Sequence, residues 1–267
     1  MPVTGISRYF KLAQNVQNPL DYFFYKWSKG KKSLKIITKP HPVQFDVVKS
    51  IYLVFKEVFM SDVYNIQQLI QKLPAKPVII DIGANVGFFD ILVLSKLPGA
   101  CIAAYEPVEQ NAAYFKKILA GNPVLKQVAF NSLAVTGKKT EYIELYAENT
   151  EESQVVASVI EGFNEHNSKK IKVPAISLSE IIDQIGDIEI DVLKMDCEGS
   201  EYEIVYNTPE HYFSKIKYML IEVHDLDKAS NNIGAFIKWI TSLGFSTAYS
   251  SINVFCYAVE AKNNRYM

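Results

Sequence analysis

The sequence predicts an α/β domain built on a doubly wound, mostly parallel sheet with an antiparallel final strand pair. Three observations carry the prediction. From Val78 onward, apolar strand-like runs alternate with helical stretches, which is the order of βαβ units. The first of these strands breaks at Gly83 and Gly87, inside "VIIDIGANVGFFDILV", before apolar residues resume. The last two strand-like runs, "FSTAYSS" and "INVFCYAV", are separated by too few residues for a crossover helix and so must pair antiparallel.

Composition permits such a domain. The chain has 267 residues, 49% of them hydrophobic and 12% aromatic, enough for one large α/β domain with an N-terminal extension. The net charge of −1, with acids and bases interspersed, argues against a broad nucleic-acid surface. Cys101, Cys197 and Cys256 are scattered and lack metal-type spacing, so packing is expected of them rather than disulfides or a zinc site. The N-terminus lacks a signal-type apolar core, and no run reaches the roughly 18 apolar residues of a membrane span. The expected address is a reducing cytoplasm.

Residues 1–73 read as an extension. An aromatic cluster, Tyr22, Phe23, Phe24, Tyr25 and Trp27, precedes the basic run "SKGKK", as in a helical arm closed by a turn. "SLKIITK" and "VQFDVVK" flank "PHP" and suit two short strands, after which 50–59 and 66–73 look helical. Residues 74–267 form the main domain. Its elements begin with strand 78–81, helix 86–96, strand 101–105, helix 109–119 and strand 127–135. Residues 141–177 depart from the alternation: "EYIELYA" and "IKVPAISL" surround a polar tract, predicting a hairpin-like β insertion with a mobile tip. Strand 190–195, helix 200–206, strand 218–223 and helix 232–243 follow.

Four strand ends carry chemistry. A strand ending at Asp81, then a glycine loop and a helix, brings backbone N–H groups close to a ligand above the sheet's carboxyl edge. The spacing is Gly-x-x-x-Gly, not the Gly-x-Gly-x-x-Gly that seats a pyrophosphate, and Asp81 would repel a phosphate. A carboxylate suits a cationic ligand instead, such as S-adenosylmethionine with its amino and sulfonium groups. The bland alternative is a turn that serves packing. Glu106, in "CIAAYEPVEQN", stands about where an acid binds ribose hydroxyls, though with Pro107 it also suits a helix start. "IDVLKMDCEGSEYEIV" crowds Lys194, Asp196, Glu198 and Gly199 at one strand end. Charge on a buried strand implies a site, unless Glu198 and Glu201 serve the next helix and Lys194 pairs with an acid. "YMLIEVHDLD" ends in Glu222, His224 and Asp225, with His224 a surface residue or a neighbour of Asp196.

Taken in order, "DIGANVGFF", "YEPVEQN", "LKMDCEGSE" and "IEVH" resemble the FkbM-type methyltransferases, a family of the class I, Rossmann-like S-adenosylmethionine-dependent enzymes. The likeness spans about 53–259 and includes "EVFMSDVY" and "KVPAISLSEII". It implies a seven-stranded mixed sheet with an antiparallel last strand, S-adenosylmethionine as cofactor, and O-methylation, often of sugars or polyketide-like products. By position, Asp81, Gly83, Ala84, Asn85 and Gly87 would line the methionine side. Glu106 would take the ribose, Pro107 flank the adenine, and Asn131 and Ser132 meet the adenine edge. Asp196, with Lys194 and Glu198, would lie near the methyl group and His224 near the acceptor; Asp196 or His224 would be the base.

Asp196, Glu198, Glu222 and His224 form an oxygen and nitrogen set suited to Mg²⁺, but a metal-free site is the expectation. The competing enzyme class is a nicotinamide-dependent oxidoreductase with Glu106 on the adenosine ribose, opposed by the missing third glycine and by Asp81. A non-enzymatic scaffold is the third reading. The acceptor is expected to be a sugar or glycosylated natural product, met by Asn149, Thr150, Ser153, Ser158, Asn164 and Asn167 of the insertion. The lysine runs "SKGKK" and "NSKK" sit in turns away from the strand ends, against nucleic acid. Tyr22, Phe24 and Trp27 are expected to pack on the domain, while the arm also offers a surface for homo-oligomers.

Overall fold

The computed structural model describes residues 3–28, 34–150, 152 and 157–266. Helices α1 (Ser7–Asn15) and α2 (Pro19–Trp27) lead to the antiparallel strands β1 (Leu34–Ile37) and β2 (Gln44–Val47). The "SKGKK" turn lies outside the described residues after Ser28. The helix expected over 50–59 is composite: α3 (Tyr52–Lys56) widens into a π-type turn over Glu57–Ser61. Asp62 then enters the left-handed region (φ 49°), and its carboxylate accepts from the Ile66 amide, starting α4 (Ile66–Ile70).

The main domain follows as β3 (Val78–Ile82), α5 (Phe88–Lys96), β4 (Cys101–Tyr105), α6 (Glu109–Gly121) and β5 (Val128–Asn131). The single strand expected over 127–135 is divided. Glu106 N–H donates to the Asn131 carbonyl at the point where β4 ends, so the chain has no further partner in that sheet. It leaves as β6 (Ala134–Thr136) and joins β7 (Tyr142–Ala147) and β8 (Lys169–Ser177) in a three-stranded sheet. Strands β7 and β8 pair antiparallel, as the insertion predicts. Next come α7 (Leu178–Ile185), opened by a Ser177/Glu180 capping box, then β9 (Ile190–Met195), α8 (Glu201–Asn207), β10 (Ile216–His224) and α9 (Ile233–Ser242). The final pair is β11 (Phe245–Ser251) and β12 (Cys256–Asn263); the strand expected from Ile252 starts later because Ile252 and Asn253 turn onto the Cys256 carbonyl.

The seven-stranded sheet runs β11-β12-β10-β9-β3-β4-β5, with β12 antiparallel to both neighbours. The chain winds one way from β3 to β5 and the other way from β9, so the crevice of the fold opens between β3 and β9. Period-two alternation divides the core. Ile79 and Val192 face a cluster with Phe88, Ile91 and Ile102, while Ile80, Ile82, Leu193 and Met195 face one with Ile204, Phe236 and Ile240.

The extension supplies much of the first cluster, through Leu12, Leu34, Ile36, Phe45, Phe55 and Phe59. In α2, Tyr22 stacks on Tyr52 at 6.1 Å between centroids. Phe24 and Trp27 turn outward instead, 60% and 84% exposed, because one face of a nine-residue helix is all that meets the domain. Among the described residues, no helix is long and apolar enough to cross a membrane.

The same alternation that buries Ile79 points Asp81 and Lys194 toward the α5 side. They are register partners across β3 and β9, and Lys194 Nζ lies 3.0 Å from Asp81 Oδ1 with both side chains buried. Burial alone would neutralise Lys194, but Asp81 and Asp196 hold its pKa above the usual lysine range. Asp90 of α5 brings a second carboxyl against Asp81, and burial together with Asp81's charge pushes it well up, so it stays neutral. Above this pair, Gly83 (φ 75°) lets the loop touch the next strand: a Cβ there would stand 1.8 Å from the Asp196 carbonyl oxygen.

Removing one partner of a buried ion pair strands the other. Lys194→Ala should therefore lower the unfolding free energy by about 3–5 kcal/mol in urea denaturation. Asp90→Asn, which replaces a neutral carboxyl by a neutral amide, should stay within about 1 kcal/mol of wild type.

Candidate active site

The glycine loop is tied to the second strand before any ligand arrives. The Gly83 and Ala84 amides donate to the Tyr105 carbonyl at 3.0 and 2.9 Å. Asn85, at φ 51°, donates its backbone N–H to Glu106 Oε2 at 2.9 Å, and Val108 N–H donates to Oε1 at 2.9 Å. Glu106 is only 5% exposed. Burial pushes its carboxyl up to about 7, against the opposing pull of the Val108 and Asn85 amides. Gly87 (φ 79°) has a packing role, since a Cβ there would stand 2.0 Å from the Phe115 ring.

A single cavity runs along the carboxyl edge from Glu106 to Glu222. Of the residues expected from sequence, Gly83, Ala84, Asn85, Glu106, Pro107, Lys194, Asp196 and Glu198 line it. Asp81 lies beneath the loop, turned to Lys194, and is fully buried. Asn131 and Ser132 also fall outside the lining. The Asn131 amide turns back to the Ala129 carbonyl, and Ser132 Oγ accepts from Lys116. Leu133, Ala134 and Val135, where β5 gives way to β6, line the cavity in their stead.

Five lining residues come from the extension: Val54, Glu57, Val58, Val63 and Tyr64. Sequence reasoning gave none of them a role, although "EVFMSDVY" carries Glu57 and Tyr64 as polar exceptions in an apolar stretch. Tyr64 donates its hydroxyl to Asp196 Oδ2 at 2.5 Å, and its ring lies 5.5 Å from Lys194 Nζ. The β insertion covers the same end. Ser158 donates to the Glu198 carbonyl at 2.6 Å, and Phe163 meets the His224 ring edge-on at 5.3 Å. The polar residues proposed for sugar contact do not line the cavity: Asn149, Thr150, Ser158, Asn164 and Asn167 point elsewhere, and Ser153 lies outside the described residues.

Five acids and one lysine line the cavity: Glu57, Glu106, Asp196, Glu198, Glu222 and Lys194. Lys194 is committed to Asp81, so the far end is lined by carboxyl groups without a free cationic side chain among the lining residues. Burial, then the charge of Asp196, raises Glu57 to about 7 and Glu222 to about 8, and raises Glu198 well above the carboxylate range. His224 stands behind Glu198 and Glu222 rather than in the cavity wall. Burial pulls its pKa down, but Glu201, Glu198 and Glu222 outweigh that and bring it to about 9. The cation selectivity read from Asp81 thus belongs to other carboxylates. A pyrophosphate would find no free cationic partner among the lining residues here.

Comparison with known proteins agrees with this geometry. The family profile described as methyltransferase FkbM domain matches residues 81–247, from the first acid to β11. The methyltransferase sdnD of Sordaria araneosa is 26% identical over 209 residues, covering 69% of this chain and 79% of its own length. The 31-O-demethyl-FK506 methyltransferase FkbM of Streptomyces tacrolimicus is 22% identical over 208 residues, covering 69% and 78%. The AMB antimetabolite synthetase AmbE of Pseudomonas aeruginosa is 23% identical over 205 residues, and there the match covers 64% of this chain but only 9% of that protein. The nicotinamide-dependent alternative finds no support among these matches. With the seven-stranded sheet, the tethered glycine loop and this profile across most of the main domain, the chain belongs to the FkbM family of S-adenosylmethionine-dependent methyltransferases.

Proposed function

We propose that the protein methylates a hydroxyl of a sugar or other natural-product acceptor, with S-adenosylmethionine bound along the cavity. One observation carries the reading: a continuous cleft joins the tethered loop and Glu106 at one end to Asp196 and a wall of carboxyl groups at the other. Glu106, held in place by the Asn85 and Val108 amides, fits the hydroxyls of an adenosine ribose, and Pro107 with Leu133 to Val135 gives apolar walls suited to adenine. Gly83 to Asn85 and the carboxylates beyond them suit the methionine end. When bound, the cofactor supplies an electrophilic methyl on a sulfonium and leaves as a neutral thioether.

Asp196 is the better base of the two expected from sequence, because it lines the cavity and His224 does not. Its Oδ2 is held by Tyr64, and as the acceptor oxygen bonds to the methyl carbon the carboxylate takes the hydroxyl proton. Burial raises the Asp81 carboxyl and Lys194 pulls against that rise from beneath the loop, while its bond to the Gly83 carbonyl supports the position of the β9 end. An O-methyl product is supported by the name of the Streptomyces relative. The three unpaired cysteines fit a reducing cytoplasm, and the exposed arm remains a candidate surface for self-association.

Calorimetry with S-adenosylhomocysteine and with NAD tests the cofactor: the first should bind and the second should not. Labelled cofactor offered to glycans, glycolipids, RNA and proteins tests the acceptor, and transfer to RNA or protein alone would overturn it. Glu106→Gln should weaken S-adenosylhomocysteine by roughly 10–100-fold, the loss of a charge-assisted contact. Since Glu106 titrates near 7, wild-type affinity should rise as pH increases through that value, where the carboxyl becomes the better acceptor. The variant should lose that dependence. Asp196→Asn should keep cofactor binding while lowering turnover by roughly 100- to 10,000-fold in a single-turnover assay.

A further inference from the structure

At the far end of the cleft, around Glu222, sheet geometry assembles a donor set that methyl transfer does not require. Glu222 and His224 project from the same side of β10, two residues apart, and His224 is the register partner of Cys256 on β12. One donor atom from each of the three lies within 4.8 Å of the other two. Cys256 Sγ stands 3.0 Å from Glu222 Oε1, and His224 Nε2 stands 3.7 Å from the same oxygen. Donors around a tetrahedral zinc are spaced similarly, at about 3–4 Å.

The imidazole is already oriented for this role. Its Nδ1 faces Glu201 Oε1 at 3.2 Å, and Glu201 is fully buried at the start of α8, with its Oε2 lacking any hydrogen-bond partner. A carboxylate on one ring nitrogen presents the other to a metal and raises its basicity. Charge points the same way. Glu198, Glu201 and Glu222 are each paired with His224 and, among the described residues, with no lysine or arginine. A dication would offset the cost of ionising carboxyls set this close together.

We infer that Glu222, His224 and Cys256 hold a divalent metal of the zinc class at the acceptor end, with an open position toward the cavity beside Glu198. A thiolate and an imidazole select a borderline-soft ion rather than Mg²⁺. The sequence-level set included Asp196, but its Oδ2 is occupied by Tyr64, and Cys256 takes its place. Glu222 and Glu198 line the cavity, so the open position faces the acceptor, where the ion would bind the substrate oxygen and ease loss of its proton. That role rests on the methyltransferase reading above; the metal site itself does not.

The test is metal loading of the full chain, with S-adenosylhomocysteine binding followed in parallel. The stripped protein should take up one equivalent of Zn²⁺ by calorimetry, and Co²⁺ should produce a thiolate-to-metal charge-transfer band. Cys256→Ser should abolish that band. Glu201→Gln, which leaves every ligand in place, should keep it while weakening metal affinity by roughly 10–100-fold. Circular dichroism and retained S-adenosylhomocysteine binding show that each variant is folded. A wild-type protein that binds S-adenosylhomocysteine yet takes up no Zn²⁺ and shows no cobalt band overturns the site, as does an undiminished band in Cys256→Ser. Failure of S-adenosylhomocysteine to bind wild type would instead strike the cofactor reading.

Discussion

The buried pair of Asp81 and Lys194 is the interaction on which the site depends. It joins the two strands that flank the crevice, β3 and β9, at the level where both end. Lys194 also donates to the Gly83 carbonyl at 2.8 Å, so one ammonium ties the first strand's acid to the loop that follows it. The absence of a Cβ at Gly83 allows that loop to close on the Asp196 carbonyl, which sets Asp196 beside the cavity. A charge buried at this depth is tolerable because each partner satisfies the other and because Asp90 remains neutral.

The extension completes what the sheet begins. Its aromatic residues pack into the core cluster on the α5 side, and the segment leaving that core carries Glu57 and Tyr64 to the strand ends. The change from α3 to a wider turn at Glu57–Ser61, then the left-handed Asp62, redirects the chain over the cavity. Lys11 of α1 fixes that corner through a 2.7 Å ion pair with Asp62. The β insertion closes the opposite side, where Ile160 and Phe163 pack closely over Gly199. The anionic end of the cleft is therefore walled by three parts of the chain far apart in sequence.

This enclosure explains the electrostatics. Carboxylates set at neighbouring strand ends would be ordinary surface acids if water reached them freely. Covered by Tyr64 and Phe163, they are raised by burial and by one another, and a bound cation would favour their charged forms and bring those values down again. The proposed sulfonium site and the proposed metal site draw on the same crowd of carboxyl groups.

Local pattern determined the alternation of strands and helices and the antiparallel last pair, while the seven-stranded sheet was implied by the family resemblance and the switch point came from pairing. Period-two alternation, the breaks at Gly83 and Gly87, and the short final connection are short-range signals, and they located the loop, Glu106 and the Lys194 to Glu198 cluster. Pairing decided what those signals left open. Whether Asp81 meets a ligand or Lys194 depends on the β3 to β9 register, and whether Asn131 or Leu133 lines the cavity depends on where β4 ends. Tyr64 reaches Asp196 across 132 positions, and Cys256 reaches His224 only through the antiparallel return of β12. Contacts of that range leave no periodicity in the chain, because they arise from how finished elements pack and not from how each one forms.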